Sequence, residues 1–198
     1  MADWIDRELQ DCATLLDWLR SEARDRHLIE TLVDPVVRCL ESGGRLLTCG
    51  NGGSMCDAMH CAEELTGRFR LSRPALAAQS ISDPSHLSCV ANDFGFDRVF
   101  ARGVEAWGRA GDVLIVFSTS GRSANIVAAA EAARARSMIV IGLLGGNGGD
   151  VTRLCDRAVV VPARDSARIQ EVHIKIVHLL IAAVERRLFP GAPAPAGD

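Results

Sequence analysis

The stretch RLLTCGNGGSMCDAMHCAEEL, residues 45–65, decides the fold. It opens on a short apolar run, set off by Gly43 and Gly44 before it and by Gly50 after it, which reads as a buried strand. Residues 50–54, GNGGS, then strip side chains from the turn. The remainder continues as a helix carrying His60 and Glu64 at i and i+4, on one face. A strand that leads through a glycine-rich turn into a helix is the unit of a parallel sheet. The turn does not make the dinucleotide-binding fingerprint, because G-x-G-x-x-G requires glycine where Met55 stands. It offers backbone N–H groups at a helix N-terminus to an oxygen-rich ligand. Taken alone, it reads equally well as a tight turn.

From this unit outward, strands and helices alternate. GDVLIVFSTSG (111–121) is a clear strand with its turn, SANIVAAAEAARARS (123–137) an alanine-rich helix, SMIVIGLLGG (137–146) and RAVVVP (157–162) further strands. LAAQSIS (76–82) reads as another, short strand, and ARIQEVHIKIVHLLIAAVERRLF (167–189) as a long helix. Before the first strand, apolar residues at helical spacing from Ile5 to Leu40 predict two helices. The expected fold is therefore α/β, a doubly wound parallel sheet covered on both faces, with an N-terminal helical extension. The boundaries are 1–40 for the N-terminal helices, 41–189 for the sheet domain, and 190–198 (PGAPAPAGD) for a disordered tail. Ligands in such sheets bind outside the carboxyl ends of the strands, where the turns at 50–54 and 118–123 lie.

Four hydroxyls, Ser118, Thr119, Ser120 and Ser123, crowd around Gly121 at the start of a helix. Hydroxyls, exposed amides and the helix dipole together make a phosphate cradle, whereas an ordinary N-cap needs one hydroxyl. The His60–Glu64 pair gains weight from its place directly after the glycine turn; Asp57 lies on roughly the same side and Glu63 about a quarter turn away. A lone His–Glu pair on a helix is otherwise most often a surface contact. In RIQEVHIKIVHLL (168–180), His173 and His178 point to nearly opposite sides at about 100° per residue, so only one can face a given pocket. Gln170 lies roughly 80° from His178 and Glu171 closer, although Glu171 can also pair with Lys175, and spacing leaves the neighbour of His178 open.

Composition narrows the function. The 198 residues fit one domain, and a net charge of −3 leaves no electrostatic footprint for nucleic acid or an anionic membrane. With no tyrosine and scattered tryptophan and phenylalanine, no base-stacking platform is visible. The N-terminus MADWIDRELQ is charged from the start, unlike a signal peptide, and the best apolar run, IVHLLIAAV, is far too short to span a bilayer. Seven cysteines form no C-x-x-C pair, so they read as free thiols of a cytoplasmic protein. Lys175 is the one lysine; it sits mid-helix without a preceding G-x-x-x-x-G, which drops both a Schiff-base aldolase and a Walker-type P-loop.

Four segments in order, GNGGSMCDAMHCAEELTGRFR, SISDPSHLSCVANDFGF, FSTSGRSAN and RIQEVHIKIVH, closely resemble the phosphoheptose isomerases, sedoheptulose 7-phosphate isomerases of the flavodoxin-like sugar-isomerase (SIS) fold. The likeness runs in register from about residue 40 to residue 188, and the N-terminal helices agree in length and placement. It implies that Asn51, Gly52, Gly53, Asn92 and Asp93 contact the sugar, that Ser118, Thr119, Ser120 and Ser123 hold the phosphate, and that Gln170 joins the substrate site. It implies Glu64 as catalytic base and His178 as its acid partner, with His60, Glu64, Gln170 and His178 as ligands of one zinc ion per subunit. The implied reaction interconverts sedoheptulose 7-phosphate and D-glycero-D-manno-heptose 7-phosphate through an enediol, toward lipopolysaccharide heptose, with an imidazole titrating near neutrality as proton shuttle. The implied assembly is a homotetramer with sites between subunits, packed through the apolar N-terminal helices. Departures are modest: Met55 and Cys61 vary, and the loop VPARDSAR before Gln170 is one residue shorter than in close relatives. The rival of a different class is a non-catalytic SIS tetramer that binds the bacterial replication initiator protein; a binding module has no need of Glu64, Gln170 and His178 together.

Overall fold

In the computed structural model, which describes residues 2–25 and 27–193, five short apolar runs have found one another. They are β1 (Leu46–Gly50), β2 (Ala78–Ser80), β3 (Val113–Ser118), β4 (Ile139–Gly145) and β5 (Arg157–Val161). All pair in parallel, in the order β2-β1-β3-β4-β5. Because side chains alternate along a strand, β3 feeds two cores: Val113, Ile115 and Phe117 point to one face, Leu114 and Val116 to the other. The first core packs under α2 (Leu28–Glu41), α3 (Gly53–Thr66) and α7 (Ser166–Leu188). The second packs under α5 (Val99–Trp107) and α6 (Ala124–Ala135). This is the doubly wound α/β sheet expected from the sequence. The N-terminal extension is there as two helices, α1 (Ala2–Asp25) and α2.

The chain turns from β1 outward to β2, then crosses back to lay β3 on the other side of β1. Two crossovers diverging from neighbouring strands leave a crevice above their carboxyl ends, and the turns after β1 and β3 line it. The short strand at 76–82 forms over Ala78–Ser80 only. Between it and β3 stand α5 and α4 (Pro84–Phe94), two helices absent from the sequence expectations. Asp83 caps α4, accepting from His86 N at 2.8 Å, with Pro84 at the first helical position. Within the stretch expected to fray, Ala192 N donates to Phe189 O (3.1 Å) and Ser72 N to Pro193 O (3.0 Å); residues 194–198 lie outside the described residues. Among the described residues, no helix is long and apolar enough to cross a membrane.

A buried ion pair joins the end of α3 to the end of α7. Arg73 Nε donates to Glu185 Oε1 at 3.0 Å, with side-chain exposures of 0% and 1%. Glu185 also accepts from Phe69 N (3.4 Å) and Arg70 N (3.0 Å). The rest of the guanidinium donates to the carbonyls of Glu64 (2.7 Å), Leu65 (2.7 Å), Gly67 (3.2 Å) and Pro74 (3.1 Å), two of them in the last turn of α3. Removing one partner of such a pair leaves an uncompensated buried charge, at about 3–5 kcal/mol. Arg73→Met is therefore expected to lower stability by about that amount in urea unfolding at fixed protein concentration. Adding Glu185→Gln, which removes the orphaned charge but keeps acceptors for the two amides, should recover at least about 1 kcal/mol of it. A single variant within about 1 kcal/mol of the parent would show that the pair does not hold these elements together.

Candidate active site

The glycine turn works by what it lacks. Gly52 sits at φ 55°, ψ −123° at the N-cap of α3, a conformation that side chains disfavour. A Cβ on Gly53 would stand 2.7 Å from both polar atoms of the Gln170 amide, so α7 can lie this close only because residue 53 has none. Across the crevice, Asn51 and Asn125 exchange two amide hydrogen bonds of 2.9 Å each, tying the turn after β1 to the first turn of α6.

Further along α3, three side chains converge. His60 Nε2 lies 3.2 Å from Glu64 Oε1 and 3.3 Å from His178 Nε2, with the His60 and His178 rings meeting edge to face. One donor atom from each falls within 4.8 Å of the others. Phe69 stacks on the other face of His178, at 5.5 Å and 17°. Burial first, then His60, Lys175 and Arg70, push the His178 pKa below 6.5 against the pull of Glu64. The shift favours the neutral ring, which has one nitrogen to donate and one to accept. Gln170 lines one cleft with His60, with its amide against Gly53; it precedes His178 by eight residues, about 12 Å along the helix axis. Glu171 is not the neighbour of His178, since Arg168 takes its carboxylate at 2.6 Å.

The donor set suits zinc. Ligands about 2.0–2.1 Å from a tetrahedral ion lie about 3.3–3.4 Å from one another, close to the two separations at His60 Nε2. Two imidazoles and a carboxylate leave a fourth position open, the pattern of catalytic rather than structural zinc sites.

The hydroxyl turn is partly self-engaged. Ser118 Oγ accepts from Gly121 N (3.0 Å), Ser120 Oγ from Arg122 N (3.2 Å), and Thr119 Oγ1 meets Ser166 Oγ at 3.1 Å. Ser123 stands at the N-cap of α6 without bonding its hydroxyl to the helix. Asn92 and Asp93, at the end of α4, bond each other (2.8 Å) and Cys89, and touch none of the other candidates through a hydrogen bond. Asn125 and Phe69 are site residues the sequence reading missed, although both stand inside quoted motifs. Asp57 lines a cleft of about 380 Å3 with His60 and Gln170, and one of its oxygens is buried without a partner. Burial raises its pKa to about 6 against the pull of His60.

Comparison with known proteins agrees with this geometry. The SIS domain family model matches residues 11–145. The chain is similar to the phosphoheptose isomerase of Vibrio vulnificus, 51% identical over 187 residues, 94% of this chain and 98% of that protein. It is similar in structure to the phosphoheptose isomerase of Neisseria gonorrhoeae, at a TM-score of 0.86 and 36% identity, covering 93% of this chain and 98% of that one. For the enzyme from Francisella tularensis the TM-score is 0.87 at 34% identity, with the same coverage of 93% and 98%.

His173, one helical face away from His178, plays a different part. It is fully buried, with Nε2 at 3.1 Å from Leu144 O, and burial pushes its pKa down to about 4 despite that bond. The unfolded chain takes up this proton near pH 6.5 and the folded chain only near 4, so the stabilisation is fully present above 6.5 and is lost as pH falls through that window. The loss should reach about 3 kcal/mol below pH 4. His173→Gln keeps a donor for Leu144 O but cannot titrate. Its stability should depend on pH more weakly between 6.5 and 4, by about one proton, in denaturant titrations across that range. An unchanged slope would place the acid sensitivity in other groups.

Proposed function

We propose a reaction from a fixed premise: the chain belongs to the SIS-domain family and, within it, to the phosphoheptose isomerases. It interconverts sedoheptulose 7-phosphate and D-glycero-D-manno-heptose 7-phosphate, an aldose–ketose isomerisation. The observation that carries this reading is the convergence of Glu64, His60 and His178 on α3 and α7, in an arrangement with a place for both a base and an acid. A carboxylate can take the C1 proton and return it at C2 of a cis-enediol, the work of Glu64. Its Oε1 lies against His60, which leaves the second oxygen for proton transfer. His178 has its Nε2 against His60, so its other ring nitrogen is the one to exchange a proton with a substrate oxygen, and the Phe69 ring shields it from water on one face. Asn51, Gly52 and Gly53 present amides to the sugar, and the hydroxyl turn grips the phosphate. That grip is remote from the reacting carbons and fixes their position. Zinc, held by His60, Glu64 and His178, would polarise the substrate oxygens as a Lewis acid. Gln170 completes the family's ligand set, and reaching the trio requires its amide to leave Gly53.

The assembly we propose is a tetramer with sites between subunits. Trp4, Ile5, Leu9 and Leu16 on α1 are all exposed, with Leu9 at 65%, a run of apolar surface suited to a second copy of the chain. Seven free cysteines fit a reducing cytoplasm, and the product would enter lipopolysaccharide heptose synthesis. Neither the comparisons nor the paired base and acid favour the non-catalytic alternative.

Two experiments test these readings. Turnover of sedoheptulose 7-phosphate in D2O should place deuterium at C2 of the aldose, seen by NMR, because a carboxylate exchanges its proton with water. Glu64→Gln should lose both turnover and exchange, by at least roughly 10²–10⁴-fold, with metal content measured beside it. Product free of deuterium at low conversion would favour a hydride shift over the enediol. For the assembly, Trp4→Asp with Leu9→Asp should reduce the tetramer to smaller species in light scattering, while an intact tetramer would exclude α1 from the interface.

A further inference from the structure

A cleft of about 600 Å3 stands apart from the crevice between β1 and β3. It lies above the carboxyl ends of β3, β4 and β5, with Thr119 and Ser120 on one wall, Asn147 on the second and residues 162–164 on the third. Arg122 and Arg164 both line it, and no acidic residue does. Neither arginine pairs with a carboxylate among the described residues; Arg122 reaches only Asn147 Oδ1, at 3.4 Å. The nearest carboxylate in sequence, Asp165, uses Oδ1 to cap α7, accepting from Ala167 N (2.7 Å) and Arg168 N (3.4 Å). Two uncompensated guanidiniums in one cleft of a chain with net charge −3 are a local reversal of field, and a concave wall focuses it.

The walls are also fixed. Gly121 and Gly149 hold left-handed backbone, and a Cβ on Gly121 would run into the Gly148 carbonyl, so the turns after β3 and β4 touch backbone to backbone. Val151 N donates to Gly121 O (3.0 Å), Asn147 Oδ1 accepts from Gly149 N (3.2 Å), and the Thr119–Ser166 contact closes the third side. Planar forked donors beside hydroxyls on a rigid frame match the oxygens of a phosphate group.

We propose that this cleft is an anion subsite for a phosphate monoester, with Arg122 and Arg164 as its charged arms. The inference rests on the isomerase reading only for its kinetic arm. The phosphate has two possible sources: the substrate's own phosphate, gripped from this side as well as by the hydroxyls, or a second phosphorylated small molecule sharing Thr119 and Ser120 with the substrate site.

The test titrates inorganic phosphate into the full chain by calorimetry, for the parent and for Arg122→Ala with Arg164→Ala, beside kinetics on sedoheptulose 7-phosphate. Both side chains are exposed, so the double variant should keep its fold, which circular dichroism checks. Phosphate affinity is expected to fall roughly tenfold or more, with a weaker salt dependence. If KM rises alongside, the phosphate is the substrate's; if KM stays within twofold while phosphate binding is lost, a separate phosphorylated ligand uses the cleft. Phosphate affinity unchanged within twofold overturns the subsite, whatever KM does. A parent chain that fails to isomerise the sugar would overturn the isomerase reading alone, since the calorimetry does not depend on turnover.

Discussion

A guanidinium shut away from water has five N–H donors to satisfy and a charge to neutralise. Arg73 meets both demands at one place, with Glu185 for the charge and four backbone carbonyls for the remaining donors. One of those carbonyls belongs to Glu64, so the residue read as the base is held through its main chain by Arg73 and through its side chain by His60. Glu185 pins the amide of Phe69, whose ring packs on His178, and Glu185 and His178 share α7. A single buried pair therefore fixes the relative position of α3, α7 and the aromatic wall between them. A charge pair of this kind adds little net stability over apolar substitutes, and what it supplies here is register between two helices.

Within that frame, the two histidines of α7 show how burial assigns roles. His173 and His178 differ by five residues, and the helix turns them to different surroundings. His173 meets the underside of β4 and Phe117, where a charge has no solvent, and it becomes a neutral donor to one carbonyl. His178 stays part-exposed beside α3, where its Nε2 faces the Nε2 of His60 at 3.3 Å. Two such nitrogens cannot both point a hydrogen at the other; they share one proton or share a cation. The carboxylate of Glu64 beside them adds the negative charge that a divalent ion needs.

The sheet was legible because its strands are nearly pure apolar runs and its helices follow glycine turns, patterns fixed by local chemistry. The 50–54 turn, the His60–Glu64 face and the parallel order all follow from residues that are neighbours in sequence. Helices α4 and α5 escaped notice because capping by Asp83 and burial of Phe100, rather than a long period, define them. Which of Gln170 and Glu171 sits near His178 was not decidable from angles alone. In the structure Arg168 claims the Glu171 carboxylate, and the missing Cβ of Gly53 leaves room beside it for the Gln170 amide. Arg73 and Glu185 stand 112 residues apart, and nothing in either local sequence announces the partner. The Asn51–Asn125 bridge is hidden in the same way, across a separation of 74 residues.

One chain also leaves two of the candidate sugar contacts apart from the others. Asn92 and Asp93 satisfy each other and Cys89, all within α4, while Phe94 and Phe96 beside them are 55% and 61% exposed. Exposed aromatics flanking a polar pair have the composition of an interface centre rather than of a solvated loop. Within the chain the Arg102 guanidinium lies over the Phe94 ring, 4.7 Å from its centroid, and both rings still keep more than half of their surface open. A second copy packed there would bury the rings and could carry the polar pair toward the neighbour's crevice. The apolar run on α1 and the ring pair at the end of α4 are the surfaces that the proposed assembly would cover, and both would then share one physical reason.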